Sequence, residues 1–131
     1  MQVPATVSQT NALKILIVDD EPGVADLISD ILKVDGHTTV TAHNGMIALE
    51  YIETQEFDVI LSDLRMPEFD GQWLYQQLKI SHPDSLGRLA FITGDTLGGE
   101  IATFLNASGR PYIEKPITPK DVRELVLKLL N

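Results

Sequence analysis

The 131-residue chain predicts an α/β domain of (βα)5 type, a five-stranded parallel sheet with helices on both faces. Three observations lead there. Five apolar runs of strand length alternate with segments whose apolar residues recur at helical spacing. The inner runs are apolar almost throughout, as strands covered on both faces are. Each of four runs ends in a residue able to do chemistry: Asp19-Asp20, Asp63, Thr93 and Lys115. In open parallel sheets the carboxyl ends of the strands form the crevice where ligands bind.

The elements follow in order. Residues 1–12 are polar, contain Pro4 and lack periodicity, and are expected to be a flexible tail or linker, leaving 13–131 as the domain. Lys14–Val18 is the first strand. Pro22 suits the first turn of the next helix, where a missing N–H costs nothing. Val24, Leu27, Ile28, Ile31 and Leu32 give that helix its apolar face, and Gly36 closes it. His37–Ala42 is a more polar strand, expected at a sheet edge. Asn44 caps a helix carrying Ile47, Ala48, Tyr51 and Ile52. Phe57–Ser62 is the third strand, and Asp70-Gly71 turns into a helix through Trp73, Leu74, Gln77 and Leu78 that ends at His82-Pro83-Asp84. Arg88–Thr93 is the fourth strand. The Gly94, Gly98 and Gly99 of the following loop predict weak order there. A short helix with Ile101, Phe104 and Leu105 on one face ends near Gly109, and Pro111–Glu114 is the fifth strand. Thr118-Pro119 opens the last helix, whose buried face is Val122, Leu125, Val126 and Leu129.

Composition narrows the function. A net charge of −9 argues against a nucleic-acid surface, which needs clustered Lys and Arg. No apolar run approaches the roughly 20 residues of a membrane span. With no cysteine, thiolate catalysis and zinc–sulfur sites are excluded; this fits a cytoplasmic address. His37, His43 and His82 are too scattered for ligand spacing and are expected in solvated or structural roles. Glu21 and Asp70 are expected as surface or capping groups.

Crowding Asp19, Asp20 and Asp63 at neighbouring strand ends is costly, because like charges raise one another's pKa. A hard divalent cation removes that cost, and Mg2+ is held by one or two carboxylates together with phosphate oxygens. Each Asp alone would be an ordinary solvated loop residue, Lys115 a surface lysine and Thr93 a β-branched strand residue. Their convergence on one sheet edge points instead to a metal-assisted phosphoryl site. A carboxylate there can act as nucleophile toward phosphorus, with Asp63 the central candidate. Lys115 and the Thr93 hydroxyl would then bind phosphoryl oxygens.

The stretches Ile15-Leu16-Ile17-Val18-Asp19-Asp20-Glu21, Ser62-Asp63-Leu64-Arg65-Met66-Pro67, Ile92-Thr93-Gly94 and Tyr112-Ile113-Glu114-Lys115-Pro116 resemble the CheY-like receiver domain of two-component response regulators. The resemblance implies a flavodoxin-like fold with strand order 2-1-3-4-5, an order taken from the family and not from periodicity. It implies that Asp63 accepts a phosphoryl group from the phosphohistidine of a histidine kinase or histidine phosphotransfer protein. By the same match Asp19, Asp20, Asp63 and the Arg65 backbone carbonyl hold Mg2+, Thr93 and Tyr112 are switch positions, and the Lys115-Pro116 peptide is cis. The segment from Phe104 to Pro116 resembles receivers appended to hybrid histidine kinases. The expected role is a signalling phosphoacceptor and not an enzyme with separate substrate turnover. A homodimer through the last two helices and fifth strand is compatible with it.

Two other readings compete. An aspartyl-phosphate phosphohydrolase would carry a second Asp two residues after its nucleophile, where this chain has Arg65. A phosphorylation-independent binding module would lack one of the essential positions, and none is missing.

Overall fold

The computed structural model describes residues 12–94 and 98–130. The predicted tail, apart from Ala12, and residues 95–97 of the predicted mobile loop lie outside the described residues. Five parallel strands, β1 (Lys14–Val18), β2 (Thr38–Ala42), β3 (Val59–Asp63), β4 (Leu89–Thr93) and β5 (Tyr112–Glu114), form one sheet in the order β2-β1-β3-β4-β5. The helices are α1 (Pro22–Val34), α2 (Gly45–Thr54), α3 (Gly71–Ser81), α4 (Pro83–Leu86), α5 (Gly99–Ser108) and α6 (Pro119–Leu130).

Strand periodicity sorts the core into two layers. Odd-numbered residues of β1 and β3 (Ile15, Ile17, Val59, Leu61) and even-numbered residues of β4 (Ala90, Ile92) pack with α1 and α6. Leu16, Val18, Ile60, Leu89 and Phe91 pack on the other face with α2, α3 and α5. All three central strands are buried on both faces except for the half-buried Lys14. β2 lies at one edge, as its polarity predicts.

The caps are local chemistry. Asn44 Oδ1 accepts from the Ile47 amide at 2.9 Å, and Asp70 Oδ1 accepts from the Trp73 amide at 2.9 Å. At the start of α6 the Asp121 amide donates to Thr118 Oγ1 and the Thr118 amide donates to Asp121 Oδ2, a reciprocal capping pair. Gly36 and Gly109 follow α1 and α5 with φ of 93° and 68°, conformations that favour glycine. The Lys115-Pro116 peptide is cis, as the resemblance implied.

Three differences from the sequence reading are informative. Leu27, expected on the buried face of α1, is exposed; Ala25 and Ser29 take the inward positions, and Ser29 Oγ meets Thr39 Oγ1 at 2.6 Å. The third strand starts at Val59; Asp58, just before it, accepts the Lys14 amide on its carboxylate at 2.8 Å and donates its own amide to the Lys14 carbonyl at 2.8 Å. After the predicted stop at His82, Pro83 starts the additional short helix α4.

Candidate functional site

The site lies at the carboxyl ends of β1, β3, β4 and β5. Val18 pairs with Ser62, so Asp19 and Asp63, one residue further along each strand, are lateral neighbours. Both continue the odd-numbered rows of Ile15, Ile17, Val59 and Leu61 and so face the α1–α6 side. Lys115 follows Ile113 by two and faces the same side. Its amide donates to the Thr93 carbonyl at 2.8 Å, which ties the end of β5 to β4.

The period of two therefore delivers two carboxylates and one ammonium to one spot. Lys115 Nζ donates to Asp63 Oδ2 at 3.1 Å and lies 3.2 Å from Asp19 Oδ2. Asp19 and Asp63 are buried, whereas Asp20 is exposed. One oxygen from each of the three carboxylates lies within 4.8 Å of the others. Asp19 Oδ1 accepts the Glu21 amide at 2.9 Å, but its buried Oδ2 makes no hydrogen bond and has only the charge contact with Lys115. Asp63 Oδ1 receives a long bond from the Arg65 amide, 3.4 Å.

Burial is the largest influence on Asp63, and the Asp19 charge adds to it. Lys115 and the Arg65 amide oppose both without cancelling them, so the carboxyl is pushed up to about 6. Asp19 is also raised, chiefly by burial. Burial alone would lower Lys115, but its hydrogen bond and charge contact with Asp63, reinforced by Asp19, hold it firmly protonated. One ammonium thus faces two buried carboxylates that it only partly satisfies. An oxygen-seeking cation fits that deficit: the orphaned Asp19 Oδ2, the Asp63 carboxylate and the exposed Asp20 form a hard, anionic donor set.

Thr93 is fully buried at the end of β4, in phase with Leu89 and Phe91, and so belongs to the α2–α3–α5 side. Tyr112 pairs with Phe91 across the sheet and shares that side, at an exposed edge. Phe91 meets Phe104 of α5 edge-on at 5.5 Å, and Phe104 meets Tyr75 of α3 at 5.4 Å. The two proposed switch residues thus share a face with an aromatic row reaching α5 and α3, while the carboxylates share the opposite face. Arg65 is exposed in the loop after β3.

One contact went unread in the sequence. Glu21, expected only as a surface or capping group, brings its carboxylate to 3.4 Å from Lys115 Nζ. No spacing rule links residues 21 and 115; only the strand order β1-β3-β4-β5 makes them meet. Two clefts large enough for a small molecule lie away from Asp63. One of about 380 Å³ sits at the opposite end of the sheet beside Phe57, His82 and Arg88. The other, about 250 Å³, lies between α1 and α6 beside Leu32, Val126 and Leu130. His37 has a structural role, its Nδ1 accepting the Leu13 amide at 3.0 Å.

Comparison with known proteins gives a consistent answer. The response regulator receiver domain family matches residues 15–127. The response regulator MprA of Mycobacterium ulcerans is 31% identical over 120 residues, covering 92% of this chain and 51% of that protein. The sensor histidine kinase GacS of Pseudomonas protegens is 27% identical over 128 residues, covering 95% of this chain but 14% of the kinase. The chain spans about half, or less, of the length of these curated relatives. Among solved structures, a CheY-like receiver domain protein from Methanospirillum hungatei superposes with a TM-score of 0.79 at 30% identity, covering 91% of this chain and 94% of that one. Vibrio cholerae CheY4 superposes at 0.81 with 25% identity, covering 90% and 98%.

Proposed function

We propose, since this chain belongs to the response regulator receiver domain family of two-component systems, that residues 13–131 form a phosphoacceptor switch in which Asp63 takes a phosphoryl group from a phosphohistidine. Receiver domains are signalling phosphoacceptors that bind Mg2+ at an acidic pocket. The donor here is a histidine kinase or histidine phosphotransfer protein, and the setting is cytoplasmic. The observation that carries the reading is the meeting of Asp19, Asp20 and Asp63 with the Lys115 ammonium at one sheet edge.

Asp19, Asp20, Asp63 and the Arg65 carbonyl would hold Mg2+, which when bound supplies positive charge to phosphoryl oxygens. Even in the metal-free protein, with its carboxyl raised to about 6, Asp63 is mostly ionised at neutral pH, the form a nucleophile needs. Its oxygen bonds to phosphorus, the phosphorus–nitrogen bond breaks, and the electron pair leaves with the histidine ring. Lys115 then exchanges its carboxylate contact for a phosphoryl oxygen, and Thr93 donates its hydroxyl to another. Drawing Thr93 toward the phosphoryl group disturbs the face it shares with Phe91 and Tyr112, which is how a local charge event biases the surface of β4–α5 and β5–α6. That surface is also the proposed contact for an effector or a second copy. Among the described residues no helix is long and apolar enough to cross a membrane.

The test is intact-protein mass after incubation with Mg2+ and acetyl phosphate. Wild type is expected to gain one phosphoryl group, lost on chelation of Mg2+ before donor addition and absent in Asp63→Asn. An adduct that survives Asp63→Asn would remove Asp63 from the role.

A further inference from the structure

Glu21 occupies the residue preceding α1, where a side chain commonly turns back to accept a hydrogen bond from the first helical turn. Its side chain makes no such bond. The carboxylate reaches instead across the sheet to Lys115 Nζ at 3.4 Å, and the amide of the same residue holds Asp19 Oδ1 at 2.9 Å. The Lys115 ammonium therefore faces three carboxylates. Two are buried, Asp19 and Asp63, and the third is 64% exposed on its side chain.

We propose that Glu21 is a positioning residue for Lys115, an outer seat that relieves the ammonium's hold on Asp19 and Asp63 and competes with the phosphoryl group for it. The inference rests on the reading of Asp63 as a phosphoacceptor that works with Mg2+. A cation entering the site and the Lys115 ammonium seek the same oxygens of Asp19 and Asp63. An anion outside that pair gives the ammonium somewhere to go, so Glu21 eases cation binding and also adds negative charge that favours it. The arriving phosphoryl group meets the reverse. Its oxygens must take Lys115 from Glu21 and approach against a like charge. One side chain thus has opposite effects on two successive events, and solvent exposure keeps each to a factor of a few.

The full chain and its Glu21→Gln and Glu21→Asp variants can be titrated with Mg2+ by calorimetry. The initial rate of Asp63 adduct formation can then be followed by intact mass over a range of acetyl phosphate at saturating Mg2+. In Glu21→Gln the Mg2+ dissociation constant is expected to rise about threefold while the adduct forms about threefold faster. Glu21→Asp, which keeps the charge, is expected to recover most of the Mg2+ affinity. Opposite signs on the two measurements separate positioning of Lys115 from general damage, which would lower both. Unchanged values, or a joint fall in affinity and rate, would overturn the inference. If wild type itself takes no adduct, the phosphoacceptor reading fails, and the Mg2+ titration still decides here: a constant raised in Glu21→Gln and recovered in Glu21→Asp upholds the outer seat, and an unchanged constant, or one raised equally in both variants, sinks it.

Discussion

Gly71 packs its bare α-carbon against the main-chain carbonyl of Asp63, and a β-carbon at that position would collide with it. The Gly71 amide donates to the Leu64 carbonyl at 3.1 Å, so α3 starts directly against the end of β3. Gly71→Ala is therefore expected to cost about 2 kcal/mol by overpacking, and to slow Asp63 adduct formation because the backbone carrying the carboxylate must shift. Gly23→Ala is the control: it has open space around it within α1 and is expected to stabilise by about 0.5–1 kcal/mol. Urea unfolding of both variants measures the contrast.

Acid should stabilise the metal-free protein through Asp63. Its carboxyl is raised in the folded state from 3.8 to about 6, so the folded chain holds the proton more tightly than the unfolded chain. That contribution is present near pH 4, is lost as pH rises toward about 6, and stays lost above it. The shift corresponds to at most about 3 kcal/mol, less after solvent screening. In chelator, Asp63→Asn should unfold at higher temperature than wild type at pH 7, with the gap closing near pH 4. Because cation binding needs the ionised carboxylate, Mg2+ affinity should also weaken as pH falls below about 6. A pH-independent gap between the two proteins would count against the buried, charge-crowded site.

Lys115→Met removes the ammonium from two buried carboxylates. Metal-free stability is expected to fall by about 2 kcal/mol, limited because one carboxyl can take up a proton instead. Mg2+ should bind several-fold more tightly, its competitor for Asp19 and Asp63 having gone. Adduct formation should nevertheless slow by roughly 100-fold, since a donor to the transferred group is lost. Calorimetry and mass spectrometry on one preparation would reveal that inversion, and a rate close to wild type would refute it.

Glu68 has φ of 66°, in the loop between β3 and α3. A left-handed side-chain-bearing residue costs about 1–2 kcal/mol, partly offset by the extra freedom a glycine loses on folding. Glu68→Gly is expected to stabilise by about 0.5 kcal/mol, read from urea midpoints.

Much of this molecule was legible in its sequence because its signals are local. Lys14–Val18 forms its strand as predicted, and Asn44, Thr118 and Gly109 do at helix ends what their backbone chemistry favours. Asp63 and Lys115 were legible as strand-end residues, and their meeting follows once the strand order is known. What escaped depends on distance along the chain or on balance within a helix. Leu27 satisfies helical spacing, yet Ser29 is drawn inward by the Thr39 hydroxyl. The reach of Glu21 to Lys115, the two-sided division of carboxylates from Thr93 and Tyr112, and the collision behind Gly71 all arise between elements.

The β5 margin of the sheet offers little to a strand from outside. Its outer strand β5 has three residues and runs into Pro116, which has no amide hydrogen to donate, while β2 at the other margin is five residues long and threonine-rich. A margin as short as β5 resists extension by backbone pairing. Whatever docks at the β5 margin should therefore recognise it through side chains on helices and loops. Such recognition depends on side-chain identity, so a few surface substitutions can redirect it without touching the ladder of hydrogen bonds beneath.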